Sequence, residues 1–411
     1  SPNTAELLFT VDGLLRDAGL HADTHGTILA LGDASSLCDS TSERVSLQVL
    51  MPGVVNAHTH LTDAEVEIPI PGGDTLPQWV ARLLEARNAR IDTAQSTVRA
   101  DRGPMQSVSA PAVKDALKRM YDAGTVAVGE VSNGIATLDA VRESGMHALF
   151  IQELVAFRSA VAESVFARAL EVEESAQWSA RVRPTISIHA PYSVSPALAR
   201  LIVDHNARNH RLTHIHLTED PEERSLFEKG SGKWRDYLES RGVWDHDFVP
   251  PGMSPIKYYD QLGLLGPGIA AVHLADAHDE EIAIVARRGV RVILSPTSNL
   301  HIGNRLPPVD SIVNHGIEFA LGTDGRGSNP SVDVFDEARL LAERFSSLDG
   351  MLLIRAMTTN GADILGFPEL GRIAIGRTPG LVAIEMRDVA GSASEVARRM
   401  LTTPVVPTRV G

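Results

Sequence analysis

Cysteine is almost missing from this sequence, with Cys38 the only one in 411 residues. A single thiol excludes an internal disulfide framework and any zinc cluster built on thiolates. Long apolar runs are missing as well, and none approaches the ~18 residues of a membrane-spanning helix. Basic clusters are scarce. With 38 Lys and Arg against 52 Asp and Glu, the formal charge is −14, which argues against nucleic acid and anionic membranes as partners. The opening residues, SPNTAELLF, lack the basic segment and apolar stretch of a secretory leader, so the cytoplasm is the expected compartment. What remains is an ordinary globular composition, 43% hydrophobic and 22% charged, long enough for one large domain and a small one.

What is present is a regular series of short β-rich runs: GVVNAH (53–58), TVAVGEV (125–131), HALFIQEL (147–154), TISIHA (185–190), LTHIHL (212–217), GIAAVHL (268–274), VRVILS (290–295) and IEFALGTD (317–324). Helix-like stretches separate them, several opening on Ser or Asp and closing near Gly, as capped helices do. Eight strands alternating with helices predict an α/β fold, a parallel (β/α)8 TIM barrel spanning 52–372. A doubly wound open sheet is the competing architecture. It would usually offer a glycine-rich phosphate loop after its first strand, where this chain reads AHTHLTD. Residues 1–51 and 373–411 hold further short β-like pieces and predict one small β-sandwich domain built from both chain ends.

In such a barrel, functional residues sit at the C-terminal ends of strands. His58 and His60 lie two apart at the end of the first strand, so they share a face. Glu130 and Glu153 lie on the second and third strands, His189 ends the fourth, His216 the fifth, His273 the sixth and Asp324 the eighth. Each has a plain structural reading alone, such as a hydrogen-bonded core histidine or a helix cap. Their recurrence at matching places points to a metal site. His58, His60, His216 and Asp324 supply three imidazoles and a carboxylate, a set that suits one divalent ion. His214 shares a face with His216 and competes with it; His216 is preferred because Glu219 follows three residues later, where a proton carrier is needed.

The motifs NAHTH (56–60), HAPYSVSP (189–196), HLTED (216–220), SPTSN (295–299) and LGTDGRGSN (321–329) together resemble the amidohydrolase superfamily, in its mononuclear-metal deaminase branch. The resemblance implies that His58, His60, His216 and Asp324 hold the metal, Zn²⁺ preferred with Fe²⁺ as the alternative. It implies that Glu219 moves protons between water and a substrate ring nitrogen, that His273 positions the attacking water, and that Asp324 doubles as base. His278 is the rival for the place of His273. Two departures stand out. Leu274 follows His273 where this branch usually has a cysteine or similar, and GRTPGLVAIEM lacks the usual Ala-Asp-Leu. The fourth strand carries no lysine to bridge two metals, which supports one ion.

The stretches PGGDTLPQWVARLLEAR (71–87), ELVAFR (153–158) and FVPPGMSPIKYYDQLGLLGPG (248–268) resemble the group containing aminodeoxyfutalosine deaminases of menaquinone synthesis. The expected partner is thus a small heterocyclic substrate, and a homodimer fits the family. Related enzymes act on S-adenosylhomocysteine, methylthioadenosine, guanine and triazines, and a cyclic-amide hydrolase of imidazolonepropionase type is the other chemical alternative. Substrate contacts are expected from His189, Glu153, Arg158, Arg326, Ser298 and Asn299, with Trp79 as a stacking surface. Arg158 and Arg326 are expected to grip a substrate carboxylate, with Arg82 and Arg87 as weaker candidates.

Overall fold

The computed structural model describes residues 3–10, 12–37, 45–93, 109–386 and 389–410; Cys38 lies outside them. Four strands open the chain: β1 (Asn3–Thr10), β2 (Gly13–Ala22), β3 (Ile28–Asp33) and β4 (Val45–Pro52). The eight runs expected as parallel strands all form. They are β5 (Val54–His60), β6 (Thr125–Ser132), β7 (His147–Leu154), β8 (Val182–Ile188), β9 (Thr213–Leu217), β10 (Ile269–His273), β11 (Arg291–Leu294) and β12 (Phe319–Leu321). A two-residue strand β13 (Asp324–Gly325) follows, then β14 (Leu381–Ile384) and β15 (Thr408–Val410).

The helices between them start where local chemistry dictates. Ser109 caps Ala110–Asp122, Ser195 caps Pro196–Arg208 and Asp220 caps Pro221–Lys229, each by accepting from an amide of the first turn. Asp279–Arg288 stops at Gly289, whose φ of +65° ends the helix in the left-handed conformation that glycine adopts freely. No helix among the described residues is long and apolar enough to cross a membrane.

β5 to β13 make two parallel sheets, ordered β13-β5-β6-β7-β8 and β12-β11-β10-β9. β6, β9 and β10 are buried along their whole length, as strands covered on both faces must be. One apolar cluster joins strand residues such as Ile215, Val292 and Phe319 to Leu198, Ile282 and Leu353 on the helices. Each such side chain, fully buried, stabilises by roughly 1.5–3 kcal/mol, so the strand ends ride on a rigid base.

The sandwich expected from the chain ends is instead, among the described residues, a single six-stranded sheet ordered β15-β14-β4-β1-β2-β3. β14 adds to the free edge of β4 and β15 to β14, so the C-terminal strands extend the N-terminal sheet and build no second layer. Its two faces alternate as strand periodicity requires. Leu7, Phe9, Val49 and Met51 join the main cluster, while Leu8, Leu20 and Leu50 pack with Ile373 on the other side.

Candidate active site

β13 runs parallel beside the end of β5, with Asp324 opposite Thr59 and Gly325 opposite His60. Asn56 locks that pairing: its Oδ1 accepts from Thr323 N at 3.1 Å and its Nδ2 donates to Thr323 Oγ1 at 2.7 Å. Gly322 permits the close approach, because a Cβ there would lie 2.7 Å from both Cβ and O of His58. On the far side, His216 N donates to His189 O at 2.9 Å and draws the end of β9 against the end of β8. These contacts bring His58, His60, His216 and Asp324 to one place.

Their facing atoms are close. His60 Nε2 is 3.4 Å from His216 Nε2 and 3.5 Å from Asp324 Oδ1, and His58 Nε2 is 3.7 Å from the same oxygen. Four donors bonded to one ion at ~2.0–2.1 Å in a tetrahedron lie about 3.3–3.4 Å apart, so the spacing fits a single divalent cation. Both ring nitrogens of His58 are buried without a hydrogen-bond partner. Such an orphan costs roughly 1–3 kcal/mol, and a cation would satisfy its Nε2. His216 Nδ1 lies 2.8 Å from His189 O, which places the proton on Nδ1 and leaves the Nε2 lone pair free. His214 lies a layer away, its ring 6.2 Å from that of His58 against 4.9 Å for His216.

The electrostatics agree with that arrangement. Burial first, then His58 and His189, lower His216 to about 4; burial holds His60 well below the usual histidine range despite Asp324. Burial would raise Asp324, but the surrounding His58, His60 and His273 outweigh it and hold the carboxyl well below its usual range. Neutral imidazoles beside an ionised carboxylate are the forms a metal requires. Asp324 Oδ2, turned away from the histidines, accepts from Ser298 Oγ at 2.5 Å, and Ser298 lies 2.7 Å from Ser328 Oγ.

Glu219 and His273 stand next to this cluster, with Glu219 Oε2 3.6 Å from His273 Nε2. Burial pushes the Glu219 carboxyl well above its usual range, and Asp324, Glu223 and Asp220 push the same way. The group is therefore poised to carry a proton. Asn299 Nδ2 sits 3.1 Å from His273 Nδ1; donating there, it leaves the proton of His273 on Nε2, facing Glu219. His278 instead caps the helix Asp279–Arg288, its amide bonded to Glu281 at 2.8 Å. Of the seven non-glycine residues with positive φ among the described residues, Thr218, His273, Leu274 and Asp324 lie at the ends of β9, β10 and β13. Strained backbone concentrates where side chains must be aimed.

Glu153 and His189 line the neighbouring wall, their ligand atoms within 4.8 Å of each other and of His216. Glu153 Oε1 accepts from Asn133 Nδ2 at 3.0 Å while its buried Oε2, without a hydrogen bond, lies 3.9 Å from His216 Nδ1; His189 Nδ1 meets Ser193 Oγ at 2.5 Å.

The expected arginines are placed elsewhere. Arg158 is exposed and its charge acts on Asp245, while Arg326 donates to Ala64 O at 2.8 Å and faces Glu67 and Asp115. Arg87, rated weaker from sequence, is the arginine whose charge reaches His60, Glu153 and His189, and it bonds Asp63 at 2.6 and 2.9 Å. Arg82 pairs with Asp74. Trp79 is 7% exposed, packed with Leu83, Phe157 and Tyr192, and its Nε1 donates to Ile70 O at 3.2 Å. Its ring is used as core.

Three buried carboxylates hold rim loops by their backbone, and sequence reasoning named Glu130 without this role and missed Glu223 and Glu337. Glu130 accepts from Leu61 N, Glu223 from Thr218 N and Glu219 N, and Glu337 from Thr297 N and Asn329 Nδ2. Glu130 was legible as a strand-end polar residue without a partner. Glu223 sits at the third helical position after the Asp220 cap, where an acid is ordinary.

The chain matches the model of the amidohydrolase family over residues 49–406. It is 29% identical to the 5-methylthioadenosine/S-adenosylhomocysteine deaminase of Teredinibacter turnerae over 373 residues, covering 87% of this chain and 76% of that one. It is 28% identical to the aminodeoxyfutalosine deaminase of Deinococcus radiodurans over 394 residues, covering 92% and 86%. The crystal structure of Helicobacter pylori aminofutalosine deaminase in complex with methylthio-coformycin superposes with a TM-score of 0.81 at 20% identity, covering 100% of both chains. The chain belongs to the amidohydrolase family and is a hydrolase acting on C–N bonds.

Proposed function

We propose that this amidohydrolase is a metal-dependent aminohydrolase that replaces the amino group of an aminopurine-type ring by oxygen and releases ammonia. The observation that carries the reading is the cluster of three imidazoles, His58, His60 and His216, meeting Asp324 3.5 Å from His60, with the buried Glu219 beside it 3.6 Å from His273. The substrate we favour is 6-amino-6-deoxyfutalosine, on the resemblance of residues 71–87, 153–158 and 248–268 and the likeness to the Deinococcus radiodurans enzyme. In this reading the two parallel sheets close into one (β/α)8 barrel over residues 52–372. The contacts at its two seams, Asn56 with Thr323 and His216 with His189, support closure. Residues 1–51 and 373–411 then form the small β domain.

His58, His60, His216 and Asp324 would hold one divalent ion, Zn²⁺ preferred and Fe²⁺ second, since imidazole and carboxylate suit both. When bound, such an ion would lower the pKa of water toward ~7 and so make hydroxide available at neutral pH. The remaining steps belong to the chain. Asp324 Oδ1, the oxygen facing the histidines, takes a proton from the attacking water. Glu219 Oε2 delivers its proton to the ring nitrogen next to the amino-bearing carbon, so the ring accepts the electron pair as the C–O bond forms. The hydroxyl proton of the addition intermediate then passes through Glu219 to the amino nitrogen, the C–N bond breaks as C=O forms and ammonia leaves, and the proton held on Asp324 returns to Glu219. His273, with its proton on Nε2, steadies the charge that develops on oxygen. Glu153 and His189 line the place where the rest of the substrate would lie.

The test is ammonia release from zinc-loaded protein with aminodeoxyfutalosine, S-adenosylhomocysteine, methylthioadenosine, guanine and cytosine. Glu219→Gln keeps the shape but cannot accept the proton, and should lose roughly 10²–10⁴-fold in turnover. Ammonia from none of these compounds would overturn the deaminase reading; turnover of a thioether nucleoside without aminodeoxyfutalosine would overturn the substrate alone.

A further inference from the structure

Glu223 is buried to 0% exposure, yet among the described residues its acid group meets no arginine or lysine in hydrogen-bond reach. Both oxygens are committed to backbone amides instead: Oε2 accepts from Thr218 N at 3.1 Å and Oε1 from Glu219 N at 2.9 Å. The two amides belong to the link between β9, which carries His216, and the helix Pro221–Lys229, which carries Glu223 itself. Thr218 is a β-branched residue at φ +48°, a conformation such side chains rarely adopt and one that persists only when its surroundings over-determine it. The other side of the same residue is also held, because Thr218 O accepts from Asp276 N at 2.7 Å. Asp276 is tied in turn to Arg224, the residue after Glu223, at 3.2 Å. The peptide before Glu219 is thus clamped through its amide by Glu223 and through its carbonyl by Asp276.

We propose that Glu223 is a positioning residue for the reaction: by holding the left-handed Thr218 and the amide of Glu219, it sets where the Glu219 carboxyl stands relative to His273 and Asp324. The clamp is needed because Glu219 lies past the end of β9, where no ladder hydrogen bond fixes the backbone. An ordinary capping glutamate would reach back to the amide of the cap, here Asp220; Glu223 bypasses it for the two residues before. Glu130 and Glu337 grip the amides of Leu61 and Thr297 in the same manner, so buried carboxylates anchoring rim backbone are a repeated device in this fold. Glu223 alone of the three holds the residue that carries the proton.

The inference rests on Glu219 being that residue, and the experiment separates the two. Metal-loaded Glu223→Gln is assayed for kcat, KM and metal content beside Glu219→Gln. A Gln side chain offers one acceptor where two amides need two, so kcat should fall about 10–100-fold, the cost of misplacing a catalytic group by roughly an ångström. KM and metal per chain should stay at the parent's values. Adding Thr218→Gly, which adopts positive φ without steric cost, should restore part of the lost kcat. If Glu223→Gln does not accumulate folded, Glu223→Asp, too short to reach both amides, should show the same loss and rescue. Parental kcat in Glu223→Gln, loss of metal with it, or no recovery on Thr218→Gly overturns the positioning role. Parental turnover in Glu219→Gln overturns instead the reading on which it rests.

Discussion

Ser298→Ala removes a single hydroxyl from beneath the candidate metal site, and its effect can be worked from the geometry. Ser298 Oγ donates to Asp324 Oδ2 at 2.5 Å, while Asp324 Oδ1 faces His58 and His60 at 3.7 and 3.5 Å. The hydroxyl therefore fixes the rotation of the carboxylate and keeps one defined oxygen toward the imidazoles. Ser298 is fully buried and the Asp324 side chain is 11% exposed, so solvent screens the bond little. A hydrogen bond to a charged group is worth about 1.5–3 kcal/mol, and each ~1.4 kcal/mol is tenfold, so metal affinity should fall roughly 10–100-fold. Substitutions of groups that orient metal ligands commonly cost the same. The assay is competition for Zn²⁺ between the protein and a fluorescent chelator, with turnover then measured at saturating Zn²⁺, where most activity should return. Ser328→Ala, one bond further out at 2.7 Å from Ser298, should cost less. Unchanged affinity in Ser298→Ala would refute the reasoning, and so would a larger loss in Ser328→Ala.

The purified protein should carry about one divalent ion per chain by elemental analysis, and His58→Ala/His216→Ala should carry none and turn over no substrate. Full activity in that double variant would sink the ligand assignment. A pH effect follows from Glu337, which burial pushes up to about 8. An unfolded glutamate releases its proton near ~4.3, so between those values the folded chain binds more protons than the unfolded one. The stability due to this group is full below pH ~4.3 and is lost as pH rises through about 8. Urea midpoints measured across that window should therefore decline less in Glu337→Gln than in the parent, and parallel declines would show that Glu337 does not titrate there.

Much of this molecule was written in local pattern. Runs of β-branched and apolar residues between capped helices mark the eight parallel strands, because strand and helix periodicities and caps are properties of neighbouring residues. The same logic placed polar residues at strand ends, and the structure clusters His58, His60 and His216, and Glu219, His273 and Asp324, the two clusters meeting where Asp324 lies 3.5 Å from His60. His58 and His60 were the plainest, since a spacing of two fixes a shared face.

Only the tertiary structure decided what depends on partners distant in the chain. Whether the terminal strands make one sheet or two turns on β4 accepting β14 from more than three hundred residues away, which no local pattern records. Arg158 and Arg326 stand near the right strand ends in sequence, yet long side chains point where neighbours from other elements draw them: one feels Asp245, the other bonds Ala64 O. Trp79 went to the core for a like reason, finding an acceptor at Ile70 and an apolar wall around it. Glu223 reads as a routine first-turn acid until the fold shows both its oxygens turned back onto Thr218 and Glu219. Sequence determines which residues reach the rim, since that follows from the strand each one ends; the direction of a flexible side chain is a balance of contacts that exists only once the other strands and helices are in place.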